Sequence, residues 1–191
     1  MRNLKMLTGV MLLAVVQGAC SDRQTPTSPL TAAGRGSLAS AGVAGGSERV
    51  VTIFDACDGP TFSAANIECD RTSGVTLQNF LSEVGAHGSA GAWHFAPSTV
   101  NAFVGQTLLA TNRGGEAHTF TEVEHFGGGI IPLLNQLSGN PVPAPECMAL
   151  TGADFIPPGG TQHEEVEEEG TELYQCCIHP WMRATVTGKK G

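Results

Sequence analysis

The sequence predicts an all-β protein: a Greek-key β-sandwich with one short helix and long loops added. Three observations point there. Most of the chain consists of short β-rich runs separated by Gly and Pro punctuation. With 25 Gly, 11 Pro and only 6% aromatic residues, the composition suits a loop-rich β protein better than a helical bundle. Helical periodicity appears in one stretch. The 191 residues suffice for one domain with a real core.

The N-terminus reads as a targeting signal. Arg2 and Lys5 give a positive start, and Met6 to Val16 is an apolar run too short to span a bilayer. It ends at "VQGAC", which resembles a bacterial lipobox, whose cysteine is diacylated and becomes the new N-terminus. Gln17 stands where a lipobox usually has Leu or another aliphatic residue. Residues 1–19 are therefore expected to be a lipoprotein-type signal peptide with lipidation at Cys20; a plain secretory signal cut nearby is the alternative. Either way the chain is expected in the bacterial periplasm or at the cell surface, touching membrane only through a lipid anchor, where disulfides persist. Residues 20–48 are rich in Ser, Thr, Ala, Gly and Pro and read as a flexible tether. Without Arg2 and Lys5 the 10 basic residues become 8, against 18 acidic ones, a net charge of −10. That balance argues against nucleic-acid binding.

The folded part is expected over 49–191. "RVVTIF" (49–54) is a strand, followed by a loop carrying Cys57 and Cys69. Leu77, Phe80, Leu81 and Val84 fall on one helical face, with Thr76 as N-cap and Gly85 as C-cap. From Ala92, "AWHFAP", "TVNAFVG", "QTLLATN" and "AHTFTEV" read as strands. "FGGGIIPLLNQLSGNPVPAPEC" reads as a long loop, "PPGG" (157–160) as a turn, "TQHEEVEEEGTELYQC" as strand at both ends, and "RATVTG" as the last strand.

The chemistry concentrates in "YQCCIHPWM", where Cys176, His179 and Met182 have the spacing C-x2-H-x2-M. A thiolate, an imidazole and a thioether form a soft set that suits copper. Two histidines and one cysteine with a weak axial methionine make a blue-copper electron-transfer arrangement. It needs a second histidine from elsewhere. His118, just after the Gly turn of "TNRGGEAHTF", fits. Here the chain resembles the cupredoxin family, near plastocyanin and amicyanin. The likeness is strongest over "YQCCIHPWMRATVTG" and weaker back to about Ala92, so that 92–191 would be the copper-binding core and 49–91 an N-terminal addition.

The resemblance implies one copper held by His118, Cys176, His179 and Met182. It further implies support of the ligands by Thr119 and Asn112, although the family often has Asn where Thr119 stands. His179 would present its ring edge at the surface as the electron exit, inside a rim of Pro180, Trp181 and Phe126. Cys176, not Cys177, keeps the family spacing to His179 and Met182. Alternation along a strand turns Cys177 the other way. Setting aside Cys20 and Cys176 leaves four of the six cysteines, which allow three connectivities. Cys57–Cys69 with Cys147–Cys177 is preferred among them.

Of the other histidines, His94 is read as a strand residue satisfied by backbone. His125 is read as a rim residue or an alternative ligand. His87 suits a helix C-terminus, and His163 a solvated face. Glu164, Glu165, Glu167, Glu168 and Glu169 form either a docking patch for a cationic partner or a solvated run. The expected function is single-electron transfer between weakly and transiently bound redox proteins by a monomer that is not an enzyme. A copper-binding or storage protein is the alternative. A zinc-bearing structural domain uses related ligands. A multicopper enzyme would need H-x-H pairs, which the sequence lacks.

Overall fold

The computed structural model describes residues 48–191. The expectations for the signal peptide, Cys20 and the tether up to residue 47 lie outside the described residues. Among the described residues no helix is long and apolar enough to cross a membrane.

Among the described residues, eight strands form two four-stranded sheets. One has the order β2 (His94–Ala96), β1 (Arg49–Phe54), β4 (Thr107–Asn112), β6 (Thr161–Glu165). The other has the order β3 (Thr99–Phe103), β8 (Arg183–Lys189), β7 (Gly170–Gln175), β5 (Thr121–Val123). Each sheet is mixed: β1 runs parallel to β4, and β3 parallel to β8, while the other pairs are antiparallel. After β2 the chain passes to the opposite sheet at every connection until β7, so the β4–β5 and β7–β8 turns both lie where ligand residues were expected. This is the predicted β-sandwich.

The strands form because their side chains alternate between core and solvent. Val51 and Ile53 of β1, Leu108 and Ala110 of β4, Val100 and Ala102 of β3, and Ala184 and Val186 of β8 are all buried. Between them Phe120 stacks on Tyr174 with centroids 4.5 Å apart and meets Phe95 edge-on at 5.3 Å. Each large side chain removed from water here contributes about 1.5–3 kcal/mol.

Three expectations are corrected. First, 49–91 is not an appendage: β1 is an inner strand, bonded to β2 and β4. Second, Gly85 does not end the helix. It continues as α2 (Leu77–His87), with Thr76 Oγ1 accepting from Asn79 N as predicted, and it stops at Gly88. Gly88 takes φ 75°, which favours glycine, and donates its N–H to Val84 O. Gly85 stays helical because nothing around it demands a turn. Third, the long loop is partly ordered: α3 (Pro132–Leu137) begins with Pro at its first position, where the missing N–H costs nothing. A short helix α1 (Gly59–Ser63), capped by Asp58, precedes α2.

Candidate metal centre

The β7–β8 turn is a tight hinge. Cys176 N donates to Met182 O at 2.9 Å, and Met182 N donates to His179 O at 2.9 Å. Those bonds fold Cys176, His179 and Met182 into one short loop, all buried. His118 enters from the β4–β5 connection, pinned by a two-way backbone bridge to Ile156. Its Nδ1 lies 3.7 Å from Cys176 Sγ, and His179 Nδ1 lies 3.9 Å from the same sulfur. The three ligand atoms lie within 4.8 Å of one another. A metal about 2.0–2.1 Å from nitrogen and about 2.3 Å from sulfur, at trigonal angles, would separate N from S by about 3.8 Å. The donors are thus spaced to share one ion. Met182 belongs to the same buried cluster as Cys176.

Two carboxylates stand behind the imidazoles, and the sequence reading missed both. Asp55, the residue after β1, accepts from His118 Nε2 at 2.8 Å. It also accepts from the backbone N–H groups of Cys57, Gly115 and Glu116. A carboxylate that only accepts requires the proton on Nε2, which leaves Nδ1 turned to Cys176. Burial pushes the Asp55 carboxyl up, but His118 and the backbone donors of Glu116 and Gly115 outweigh it and hold the group at about 2. Burial pulls His118 down, yet Asp55 and Cys176 together lift it to about 9 in the metal-free protein. Burial raises the Cys176 thiol, and the two histidines more than reverse that, so it ionises well below an ordinary cysteine. The thiolate needed for metal binding is therefore favoured.

Glu116 is the second carboxylate. It accepts from Trp93 Nε1 at 2.6 Å, and its Oε2 lies 3.8 Å from His179 Nε2. Burial raises its carboxyl, partly opposed by His179 and Trp93.

His179 corrects the expected electron exit. It is 1% exposed, because Phe80 of α2, Trp93 and Trp181 cover it, with ring centroids 6.0, 6.4 and 5.5 Å away. The rim is also different from that expected. Pro180 is buried, Trp181 half-buried, and Phe126 lies under the Arg183 guanidinium at 4.6 Å. Phe80 and Trp93 bring their part of that cover from segments far away in sequence.

Thr119 and Asn112 brace the segment that carries His118. Thr119 Oγ1 accepts from Cys177 N at 2.8 Å and so ties the His118 segment to the hinge. Asn112 Nδ2 donates to the carbonyls of Glu116 and Ile156, and its Oδ1 accepts from Gly114 N, bracing the turn before His118. The disulfides are Cys57–Cys69 and Cys147–Cys177, and Cys176 is a free buried cysteine. The second bridge anchors the 124–156 segment behind the hinge. Gly129 packs there so closely that a Cβ would collide with Cys177 O.

The remaining histidines stay apart from the cluster. His94 Nδ1 meets Gly91 O at 3.1 Å, His163 Nδ1 meets Glu48 at 3.6 Å, and His87 and His125 are exposed. Of the acidic run, Glu165, Glu167, Glu168 and Glu169 are exposed and Glu164 is half-buried.

No protein-family model matches the chain, and no curated protein matches it. Solved structures do. A purple cupredoxin from Nitrosopumilus maritimus is 18% identical, with 74% of this chain and 100% of that chain covered at a TM-score of 0.42. A methionine-to-alanine mutant of amicyanin, in its Cu(I) form, is 21% identical over 52% and 76%, at 0.33. Plastocyanin from Dryopteris crassirhizoma is 18% identical over 51% and 89%, at 0.35. The chain's own strand order makes a two-sheet β-sandwich in which His118, from the β4–β5 connection, meets Cys176 and His179 of the β7–β8 hinge.

Proposed function

We propose that this protein is a single-electron carrier holding one copper through His118, Cys176, His179 and Met182. The observation that carries this reading is the spacing of two imidazole nitrogens around one thiolate, 3.7 and 3.9 Å from it. Bound there, copper would supply a Cu(I)/Cu(II) couple, and one cysteine and two histidines with a methionine suit that couple. The chain's own part is to hold the donors and exclude water. Asp55 keeps the proton on His118 Nε2 and frees Nδ1. Thr119 ties the two ligand segments together. Complete burial of Cys176 removes it from any external substrate, so the thiolate serves as a ligand rather than a nucleophile.

Weak, transient redox partners, an exported monomer, a signal peptide at 1–19 and a lipid at Cys20 belong to the same proposal. The proposal also keeps the domain at 49–191.

A second reading, copper binding or storage without electron transfer, draws support from the covered His179, which lengthens any path to a partner. Electron exchange in the copper form separates the two: exchange too slow for turnover favours storage.

The test is addition of Cu(II) to the purified protein with its visible spectrum recorded. An intense charge-transfer band that is lost in Cys176→Ser and kept in Cys177→Ser supports the ligand assignment. Loss in both, or in neither, overturns it. Metal analysis after growth with copper and zinc distinguishes a zinc site.

A further inference from the structure

The two carboxylates behind the imidazoles engage them unequally. His118 Nε2 meets Asp55 Oδ2 at 2.8 Å, with both side chains fully buried. His179 Nε2 lies 3.8 Å from Glu116 Oε2, beyond hydrogen-bond reach, and Trp93 Nε1 already donates to that oxygen. Of the two imidazoles, His118 alone has a charge-assisted bond on the side away from Cys176. The N–H groups of Cys57, Gly115 and Glu116 join His118 on the two Asp55 oxygens, which suits a carboxylate that only accepts.

Apart from His118, no cation offsets this charge. Among the described residues no Lys or Arg is buried, and none forms an ion pair with Asp55. Arg71 packs against Gly115 but is itself exposed. The chain also keeps space for the carboxylate. A Cβ on Gly114 would collide with Asp55 Oδ2, the oxygen that His118 uses. Gly114 is not among the glycines with positive φ, so the close approach of Asp55, rather than a turn, calls for glycine there. A buried negative charge behind a copper ligand acts more strongly on Cu(II) than on Cu(I), because the attraction grows with the charge of the ion.

We propose that Asp55 is a positioning residue that, through His118, makes the centre favour Cu(II) and so lowers its reduction potential below that of the same four ligands without the carboxylate. The inference rests on the electron-carrier reading and deepens it. Such a centre gives up its electron readily, and the partner that loads it must be correspondingly reducing. A brace alone would act otherwise. Holding the N–H groups of Cys57, Gly115 and Glu116 shapes the site alike for both oxidation states. Its loss would weaken Cu(I) and Cu(II) binding together and leave their ratio unchanged.

The test measures the Cu(I) and Cu(II) affinities of the purified chain separately, by competition with chelators, and the reduction potential of its copper form at neutral pH. Asp55→Asn should lower the Cu(II)-to-Cu(I) affinity ratio about tenfold or more, which for a one-electron couple raises the potential by about 59 mV or more. Gly114→Ala serves where the lost N–H partners keep Asp55→Asn from folding. It retains every charge but pushes the carboxylate away from His118, and should lower the ratio about threefold or more. A ratio that stays within about twofold of the parent's in either folded variant, or that rises, overturns the proposal and leaves the electron carrier standing. Failure of the parent chain to bind copper at Cys176 overturns the electron-carrier reading and this inference with it.

Discussion

Replacing Asp55 with asparagine removes one charge and one acceptor from the back of His118. Four donors converge on that carboxylate: His118 Nε2–H and the N–H groups of Cys57, Gly115 and Glu116. An amide has one acceptor oxygen, so two of the four lose their partner whichever way it turns. With the oxygen kept toward His118, the N–H groups of Cys57 and Gly115 are orphaned in the interior. Each orphan costs about 1–3 kcal/mol, so the metal-free protein should lose about 2–6 kcal/mol. Copper affinity should fall about 10–100-fold, because the group that fixes the imidazole tautomer and raises its basicity is weakened. Urea unfolding of the metal-free form reads the first quantity, and competitive copper titration of the folded variant reads the second. A folded Asp55→Asn variant that binds copper within about threefold of the parent would refute the reasoning, leaving Asp55 as a brace for the 112–118 turn alone.

Three further outcomes follow from the same geometry. Asp55 has a folded pKa of about 2 against an ordinary 3.8, so its contribution of about 2 kcal/mol is present above pH 4 and is lost as pH falls through 2; acid unfolding of the metal-free protein should show this, and Asp55→Asn should flatten it. Removing the Cys147–Cys177 bridge by a double alanine substitution should cost about 3–4 kcal/mol for its 30-residue separation while the copper band survives, as thermal unfolding and visible spectra would show. Phe80→Ala should cost about 3–5 kcal/mol through the cavity it leaves, and should speed electron exchange of the folded copper form by uncovering His179; slower exchange would contradict the role given to Phe80 as cover.

How much of this was legible in the sequence depended on the range of each interaction. "RATVTG" reads as a strand because alternation is local, and Ala184 and Val186 do face the core. Cys176, His179 and Met182 read as one unit because a single turn holds them. His118 was found by the Gly turn before it and by the donor that a Cys–His–Met set lacks. Asp55 was not legible. Its bond to His118 spans 63 residues, and an acid after an apolar strand carries no local signal of that partner. The cover over His179 was hidden for the same reason, since Phe80 and Trp93 reach it only through the fold. In the stretch before Cys147, Gly and Pro counts masked α3, where Pro132 starts a helix rather than breaking one. Gly85 and Gly88 look alike as helix stops, and only the backbone turn separates them.

The most direct test is X-ray absorption at the copper edge of the copper-loaded protein, with Cys176→Ser beside it. One short sulfur and two imidazole nitrogens, with at most a longer, weak sulfur from Met182, is the expected result, and the short sulfur is gone in the variant. A sphere of oxygen and nitrogen alone, or a short thiolate-type sulfur distance that survives Cys176→Ser, would contradict the metal centre proposed for this chain.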